Sequence, residues 1–300
     1  MKEILNLPCS TFGVGYIHDV EFKRVPTFPK GTGISSLKRS LYMQYLFPSP
    51  TDKKDCGPYP IVLFVPGGSW RTPQVYFRVP FLVPLARRGI LVAMADYRGC
   101  ELFTCEDAIA DVRSALRYTR IHAAEYGGDP DNIFLMGESA GAHLSMMAVC
   151  GGEAFDDPAD DLEISAGVCG VLELYGPTDS EGQVSAAEFK ALSDEQALAS
   201  PYAMLARGCP RDKFAERLAP LSPLRYVREG VELPPLLMAH GEDDKLVPVE
   251  QAEAMYEALV AAGRMVEYSR LQNAGHGNWR FYDDTMMDKY AMFIQKHKRR

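Results

Sequence analysis

Short runs of consecutive apolar residues alternate with amphipathic stretches along most of the chain. Unbroken apolar runs are typical of parallel strands buried on both faces, and apolar residues at helical intervals are typical of helices that cover a sheet. The predicted strands comprise residues 61–65, 90–95, 132–136, 167–174, 236–240 and 265–271. The predicted helices comprise residues 79–88, 106–126, 140–150, 249–262 and the segment from residue 283. This alternation predicts an α/β fold with a mostly parallel central sheet covered by helices on both faces.

The N-terminal part of the chain departs from this alternation. Residues 18–25 and 41–47 have extended character and are joined by residues 26–33, which are rich in proline and glycine. This arrangement predicts an antiparallel pair of strands that precedes the parallel part of the sheet.

A second departure lies between the fourth and fifth predicted parallel strands. Residues 178–233 contain no convincing strand, only helix-like patches at 186–198 and 210–218. A long excursion of this kind is usually a cap or lid over a site, and the alternative is an elaboration that supports a homo-oligomer contact. We expect one domain, residues 1–300, with a cap insertion at about 178–233.

Composition and charge narrow the functional classes. The chain has 300 residues, of which 47% are apolar, so it can bury a substantial core and is neither disordered nor fibrous. The net charge is −8 and the only basic run is 296–300, which fits the end of a helix and makes nucleic acid an unexpected partner. Since no eighteen apolar residues run together, no membrane span is expected.

The cysteines indicate a cellular compartment. Seven are scattered along the chain without a C-x-x-C pair, namely Cys9, Cys56, Cys100, Cys105, Cys150, Cys169 and Cys209. An odd, dispersed set is typical of free thiols in a reducing compartment and of neither a disulfide framework nor a zinc site. We therefore expect a cytoplasmic protein without a metal, and a signal peptide removed from a longer precursor is the alternative.

A serine between glycines is the most informative local motif. Gly137-Glu138-Ser139-Ala140-Gly141 follows an apolar strand and opens a helix, as in a nucleophile elbow. Such a turn forces strained backbone angles on the serine and leaves room only for glycine-sized neighbours two residues away on each side. The alternative is an ordinary helix N-cap serine.

A serine nucleophile needs a base, and the chain has six histidines. His276 lies in a glycine-flanked loop just after the last predicted strand, where its ring could lie over the edge of the sheet. His143 follows Ser139 by one helical turn and suits packing, and His240 ends a strand and suits a structural hydrogen bond. The remaining histidines, His18, His122 and His297, have no catalytic context. We therefore select His276 as the base.

The base needs an acid that orients it. Residues 242–244 bring three acidic side chains together after the strand at 236–240. Asp244 is preferred because its position before Leu246-Val247-Pro248 resembles the G-x-x-D-x-x-V-P turn of many hydrolases. Asp243 and Asp179 are the rivals, and helix capping is the alternative explanation of the acidic turn.

Backbone amides that receive the negative oxygen complete this chemistry. Ala140, directly after the serine, supplies one amide. Gly68 and Ser69, in the glycine turn after the strand at 61–65, supply the others, because glycine lets the main chain approach a substrate carbonyl closely. An ordinary strand-to-helix turn is the alternative explanation of that glycine pair.

Together these motifs resemble the α/β-hydrolase fold, and more narrowly the hormone-sensitive-lipase type and related carbohydrate esterases. The resemblance extends over about residues 60–280 and rests on Pro66-Gly67-Gly68-Ser69-Trp70, Ala95-Asp96-Tyr97-Arg98, residues 107–126 with Asp129-Pro130, residues 137–144, residues 240–248 and Gly275-His276. It implies a catalytic triad of Ser139, Asp244 and His276 with an oxyanion hole of Gly68, Ser69 and Ala140. Pro66 departs from the pattern, because these enzymes usually have a histidine there that holds the oxyanion loop.

The sequence therefore predicts a serine hydrolase that cleaves small carboxylic esters, acetyl or feruloyl esters of carbohydrates among them, without a metal or organic cofactor. An arylformamidase or a peptidase would use the same triad. An alternative from another functional class is a non-catalytic binding protein on the hydrolase fold, similar to the gibberellin receptors. Trp70 and Trp279 lie close to the proposed catalytic loops and are candidate substrate contacts, with wedging of tight loops as the other explanation.

Overall fold

The computed structural model describes residues 12–29, 37–50 and 56–299. Its centre is an eight-stranded sheet in the order β1-β2-β4-β3-β5-β6-β7-β8. The strands are β1 Gly13–Pro26, β2 Lys38–Ser49, β3 Tyr59–Val65, β4 Leu91–Ala95, β5 Gly128–Glu138, β6 Gly170–Leu174, β7 Leu236–Gly241 and β8 Val266–Leu271. β1 and β2 are antiparallel to each other, and β2 is antiparallel to β4, whereas all other neighbours are parallel. The predicted antiparallel opening pair and mostly parallel sheet are confirmed.

Eleven α-helices surround the sheet in the described part of the chain. They are α1 Val79–Ala86, α2 Cys105–His122, α3 Ala140–Cys150, α4 Ser180–Ser185, α5 Ala187–Lys190, α6 Asp194–Ala199, α7 Pro201–Leu205, α8 Phe214–Leu218, α9 Pro223–Arg228, α10 Val249–Ala261 and α11 Asp284–His297. Apolar side chains of α2 and α3 pack with one face of the sheet, and those of α1 and α11 pack with the other. The helices therefore cover both faces, as predicted.

Some boundaries of the predicted elements are wrong. β5 begins at Gly128 rather than at residue 132, because Gly128 pairs with Tyr59 of β3 ahead of the apolar run. α2 ends at His122, and a 3-10 turn over Ala123–Tyr126 completes the segment that the sequence predicts as one helix. Pairing across the sheet and tightening of a final helical turn are tertiary effects that local sequence patterns do not contain.

Residues 178–233 fold into the short helices α4–α9, where the sequence predicts only two patches. Proline opens α7 and α9, and a capping box formed by Ser193 and Gln196 opens α6. Buried side chains of these helices, such as Tyr202 and Leu205 of α7, share one apolar cluster with Trp70. The segment thus lies against the loop after β3, and its role as a cap stays a prediction.

Some residues considered in the sequence analysis lie outside the described part of the chain. They are Cys9, residues 30–36 of the connection between β1 and β2, and Arg300 of the basic C-terminal run. The six cysteines within the described part are all free thiols. Among the helices of that part, none has the length and apolar character needed to cross a membrane.

Candidate active site

Ser139 lies on the sharp turn between β5 and α3. Its backbone has φ 50° and ψ −125°, a strained conformation for a residue with a side chain. A Cβ on Gly137 would lie 2.4 Å from the carbonyl oxygen of Gly141, and a Cβ on Gly141 would lie 2.1 Å from that of Val65. Only glycine fits at both positions, so the turn has the geometry expected of a nucleophile elbow.

The three side chains selected from the sequence lie in one hydrogen-bonded line. Oγ of Ser139 is 2.8 Å from Nε2 of His276, and Nδ1 of His276 is 2.8 Å from Oδ2 of Asp244. Because a carboxylate only accepts hydrogen bonds, Nδ1 carries the imidazole proton and Nε2 is left to accept from the hydroxyl of Ser139. The carboxyl ends of parallel strands meet at one edge of the sheet, and the three residues follow β5, β7 and β8 there.

The environment of Asp244 keeps its carboxylate charged. Its side chain is fully buried, which alone would raise the pKa of the carboxyl group. Hydrogen bonds from His240, His276 and the backbone amide of Val247 outweigh burial and hold that pKa well below its usual range. The rivals are placed elsewhere, because Asp179 caps α4 through the amide of Gly182 and Asp243 is exposed.

The loop after β3 approaches Ser139 closely. A Cβ on Gly67 would lie 3.0 Å from Cβ of Ser139, so the main chain passes directly beside the serine. Gly68, Ser69 and Trp70 all have positive φ, at 135°, 54° and 60°, which turns successive amides in an unusual direction. The amide of Ala140 is the first of α3 and has no acceptor within its own helix. These are the amides expected to form an oxyanion hole.

Contacts on three sides hold this loop in its strained conformation. The hydroxyl of Tyr97 donates to the carbonyl oxygen of Pro66 at 3.0 Å, and the amide of Cys100 donates to that of Trp70 at 2.7 Å. The indole of Trp70 donates to Nδ1 of His143 at 3.0 Å. Tyr97, Cys100 and His143 thus support the loop, for which the resemblance stated above implies a histidine at the position of Pro66.

The two tryptophans differ in exposure. Trp70 is only 3% exposed, and its indole is bonded to His143, so its ring has no free face for a ligand. We therefore assign Trp70 to the support of the loop and drop the predicted substrate contact. Trp279 is 64% exposed and begins the 3-10 turn Trp279–Tyr282, three residues after His276. Its contact with substrate stays a prediction.

Sequence reasoning missed the environment of Glu138. This residue precedes Ser139 and is 1% exposed, yet it carries a carboxylate. Arg78, Tyr175, Tyr282 and the amide of Gly67 all donate to it. The sequence does contain a signal for this environment, since Glu138 lies between the apolar run of β5 and Ser139. A carboxylate at such a buried position requires hydrogen-bond partners.

A serine on the turn after a central parallel strand, bonded to a histidine and an aspartate from later strand ends, defines the α/β hydrolases. The family model described as BD-FAE matches residues 49–259, which is more than half of the chain. The chain belongs to this BD-FAE family.

The curated relatives carry the names of esterases. Esterase LipC of Mycobacterium tuberculosis is 32% identical over 229 residues, which are 73% of this chain and 53% of the relative. The probable isoprenylcysteine alpha-carbonyl methylesterase ICMEL1 of Arabidopsis thaliana is 30% identical over 246 residues, 78% of this chain and 48% of the relative. The chain therefore spans about half the length of the curated relatives it matches.

Solved structures show the same fold. A truncated form of a carbohydrate esterase from gut microbiota superposes with a TM-score of 0.77 at 21% identity, with 96% of this chain and 98% of that chain covered. The propionate-bound thermophilic esterase Est2 of the Planctomycetes species Thermogutta terrifontis superposes with a TM-score of 0.64 at 26% identity, with 86% and 87% covered. Both confirm the predicted α/β-hydrolase fold.

Proposed function

We propose that the chain is a serine carboxylesterase that cleaves small carboxylic esters through an acyl-enzyme on Ser139. The observation that carries this proposal is the continuous line from the hydroxyl of Ser139 through His276 to the buried carboxylate of Asp244, with 2.8 Å at each link. The esterase names of the relatives support the same reaction class.

The geometry supports a two-step mechanism. Oγ of Ser139 attacks the ester carbonyl carbon while its proton moves to Nε2 of His276, and Asp244 stabilises the imidazolium that forms. The carbonyl oxygen becomes negative beside the amides of Gly68, Ser69 and Ala140. The C–O bond to the alcohol then breaks, and His276 gives its proton to the leaving oxygen.

Water completes the cycle. His276, neutral again, removes a proton from a water molecule that attacks the acyl carbon. The bond to Oγ breaks, Ser139 recovers its proton from His276, and the carboxylic acid leaves.

The substrate class is a further part of the proposal. We infer esters with a small or aromatic acyl group, acetyl and feruloyl esters of carbohydrates among them. An exposed indole at Trp279, close in sequence to His276, supports stacking against a flat acyl or sugar ring. Est2 of Thermogutta terrifontis binds propionate, which supports a small acyl group here by similarity.

We also propose that the segment containing α4–α9 forms a cap beside the loop that carries Trp70, because side chains of both share one apolar cluster.

The decisive experiment compares two serine variants of the same turn and helix. We expect Ser139→Ala to lose measurable hydrolysis of p-nitrophenyl acetate while its thermal unfolding stays that of a folded protein. Ser145→Ala is the matched control, since Ser145 is a buried serine of α3 and should keep wild-type turnover. Wild-type turnover in Ser139→Ala would disprove the acyl-enzyme.

A substrate panel separates the remaining alternatives. Acetyl, propionyl and feruloyl esters of simple alcohols and of sugars should be hydrolysed faster than N-formyl aryl amides or peptides. A preference for the formamide would favour an arylformamidase, and the absence of turnover with every substrate would favour a binding protein.

Trp279→Ala tests the proposed substrate contact. It should raise KM for aromatic acyl esters by about tenfold, the loss of roughly one aromatic contact, and leave KM for acetyl esters unchanged.

A further inference from the structure

The carboxylate of Glu138 receives hydrogen bonds on both of its oxygens. Oε1 accepts from the amide of Gly67 at 3.2 Å and from Nε of Arg78, with which it forms an ion pair. Oε2 accepts from the hydroxyl of Tyr175 at 2.6 Å and from the hydroxyl of Tyr282. Burial, together with the charge of Glu138, raises the pKa of both phenols well above the usual value, so they stay protonated as donors.

Each of these donors belongs to a different part of the site. Gly67 begins the loop that carries the proposed oxyanion donors. Tyr175 follows β6, and its ring lies edge-on against the imidazole of His276 with 5.1 Å between ring centroids. Tyr282 ends the 3-10 turn that follows His276. One carboxylate therefore connects the oxyanion loop with the segment that holds the histidine.

The backbone of Tyr175 is strained, and its hydrogen bond to Glu138 helps to stabilise it. Tyr175 has φ 43°, which a bulky side chain rarely adopts, and it is 1% exposed. Its hydroxyl bond to Glu138 and the packing of its ring against Phe281, 4.4 Å between centroids, fix this conformation. Without these contacts Tyr175 could relax and the wall beside His276 would move.

The charge of Arg78 has a separate consequence. Glu138 directly precedes Ser139 in the chain, and its carboxylate accepts from the amide of Gly67 beside the proposed oxyanion donors. Negative charge that develops there in the reaction is opposed by a second negative charge on Glu138. The guanidinium of Arg78 balances Glu138, and burial leaves Glu138 little solvent that could do so instead. Removing Arg78 alone would leave an unbalanced buried carboxylate.

We propose that Arg78 and Glu138 form a positioning pair for ester hydrolysis: the carboxylate fixes the oxyanion loop and, through Tyr175, the imidazole of His276, while Arg78 neutralises the carboxylate. This inference rests on the proposed function, since it assigns work to the same site. Neither residue touches the reacting atoms, so their removal should affect kcat far more than KM.

The test is a double-mutant cycle with p-nitrophenyl acetate. We expect Arg78→Gln to lower kcat by about 100-fold, near the lower end of the cost of losing one oxyanion donor, and Glu138→Gln by about tenfold. KM should stay within about threefold of wild type in both. The double variant should be closer to Glu138→Gln than to Arg78→Gln, because it contains no unbalanced charge. Wild-type kcat in both single variants, or a double variant worse than Arg78→Gln, would overturn the proposal.

Matched variants separate positioning from folding. Arg88→Gln is the control for the arginine, since Arg88 lies just after α1 and forms ion pairs with Asp284 and Asp288 away from Glu138. It should keep kcat within about twofold, as surface pairs contribute little. Should Arg78→Gln fail to fold, Tyr175→Phe and Tyr282→Phe replace it.

Each tyrosine variant removes one hydroxyl donor and keeps the ring. Each should lower kcat by about threefold to tenfold, the value of one hydrogen bond, with KM unchanged. Tyr45→Phe is their control, because Tyr45 is as buried as Tyr175 and its hydroxyl contacts Met43 instead. Equal kcat in all three phenylalanine variants would overturn the positioning role.

A serine-directed fluorophosphonate distinguishes failure of this inference from failure of the proposed function. A wild-type protein that is labelled at Ser139 but hydrolyses no ester refutes only the substrate assignment, and slower labelling of Arg78→Gln and Glu138→Gln still supports the positioning pair. Labelling of both variants at the wild-type rate refutes the pair alone. A wild-type protein that is neither labelled nor active refutes both.

Discussion

Nδ1 of His143 lies 3.0 Å from the indole Nε1 of Trp70, and the indole donates this hydrogen bond. The other nitrogen, Nε2, then carries the proton and donates to the carbonyl oxygen of Leu221 at 2.7 Å. Burial lowers the pKa of His143 to about 4 despite this second bond, so the ring is neutral at physiological pH. A neutral histidine therefore connects the oxyanion loop with the segment proposed as a cap.

The Trp70–His143 bond gives a first prediction. Trp70→Phe leaves Nδ1 of His143 buried without a donor and should lower the free energy of unfolding by about 1–3 kcal/mol. It should also lower kcat by about tenfold, since Trp70 follows Ser69 in the strained loop. Trp279→Phe is the control and should stay within about 0.5 kcal/mol of wild type, because Trp279 is largely exposed. Urea unfolding of both variants measures the difference, and equal stabilities would contradict the prediction.

Asp244 gives a second prediction through its two oxygens. Oδ1 accepts from the amides of Leu246 and Val247 at 2.8 and 2.9 Å, and Oδ2 accepts from His276. In Asp244→Asn the single oxygen should stay with the two amides, so the new NH2 faces His276 and forces the proton onto Nε2. This wrong tautomer cannot accept from Ser139, and kcat should fall by about 10³–10⁴-fold.

The neighbouring carboxylate is the control for that experiment. Asp243→Asn changes an exposed side chain in the same turn and should keep kcat within about twofold. If Asp243→Asn were the more damaging of the two, the acid of the triad would have to be reassigned. Steady-state kinetics with one ester is sufficient for both variants.

Glu173 gives a prediction on stability and pH. This residue of β6 is fully buried, and its Oε2 has no hydrogen-bond partner among the described residues. Burial raises the pKa of Glu173 from 4.5 to about 7, although nearby His240 and the amide of Gly176 oppose the shift. A raised carboxyl pKa means that this group stabilises the fold fully below pH 4.5 and that the contribution is lost as pH rises through about 7.

Glu173→Gln removes that charge without changing the size of the side chain. The variant should be more stable than wild type at pH 8 by about 1–3 kcal/mol, and the difference should shrink as pH falls towards 4.5. Unfolding free energies measured across this range provide the test. Glu257→Gln, on the exposed face of α10, should show no such trend. A gap that widens at low pH would show that the charged form is the stabilised one.

Gly141 gives a prediction on the shape of the elbow. A Cβ there would lie 2.1 Å from the carbonyl oxygen of Val65 and 2.6 Å from that of Pro66, and the backbone at the end of β3 cannot yield. Gly141→Ala should push α3 away from β3, lower kcat by about 100-fold or more and cost about 1–3 kcal/mol of stability. In Gly167→Ala the new Cβ meets only the side chain of Ser165, so activity should be retained. Equal activities would contradict this account.

The parts of the fold and site that follow from sequence are those fixed by local chemistry. The strands β3 to β7 were predictable because buried parallel strands need apolar runs, whereas β8 is a partly exposed edge strand that mixes apolar and polar residues. Ser139, Asp244 and His276 were selectable because each follows a predicted strand in a distinctive loop or turn. The structure brings these three side chains into contact, and their roles in catalysis stay predictions until the variants are measured.

The parts that do not follow depend on contacts between distant segments. Glu138 is 60 positions from Arg78, 71 from Gly67 and 144 from Tyr282, so no local pattern reveals that they meet. The burial of Trp70 depends likewise on His143, 73 positions away. The short helices of residues 178–233 were only partly predicted, as the patches at 186–198 and 210–218, because helices of four to six residues are too short for a clear period.

The location of residues 178–233 between β6 and β7 also divides the proposed machinery in two. A chain cut there would leave Ser139 and the oxyanion loop on an N-terminal fragment, and Asp244 and His276 on a C-terminal one. Neither half alone could complete a turnover, because the serine and histidine that must meet are 137 positions apart on opposite sides of the cut. Ester cleavage by the mixed halves would thus be a direct reporter of their reassembly.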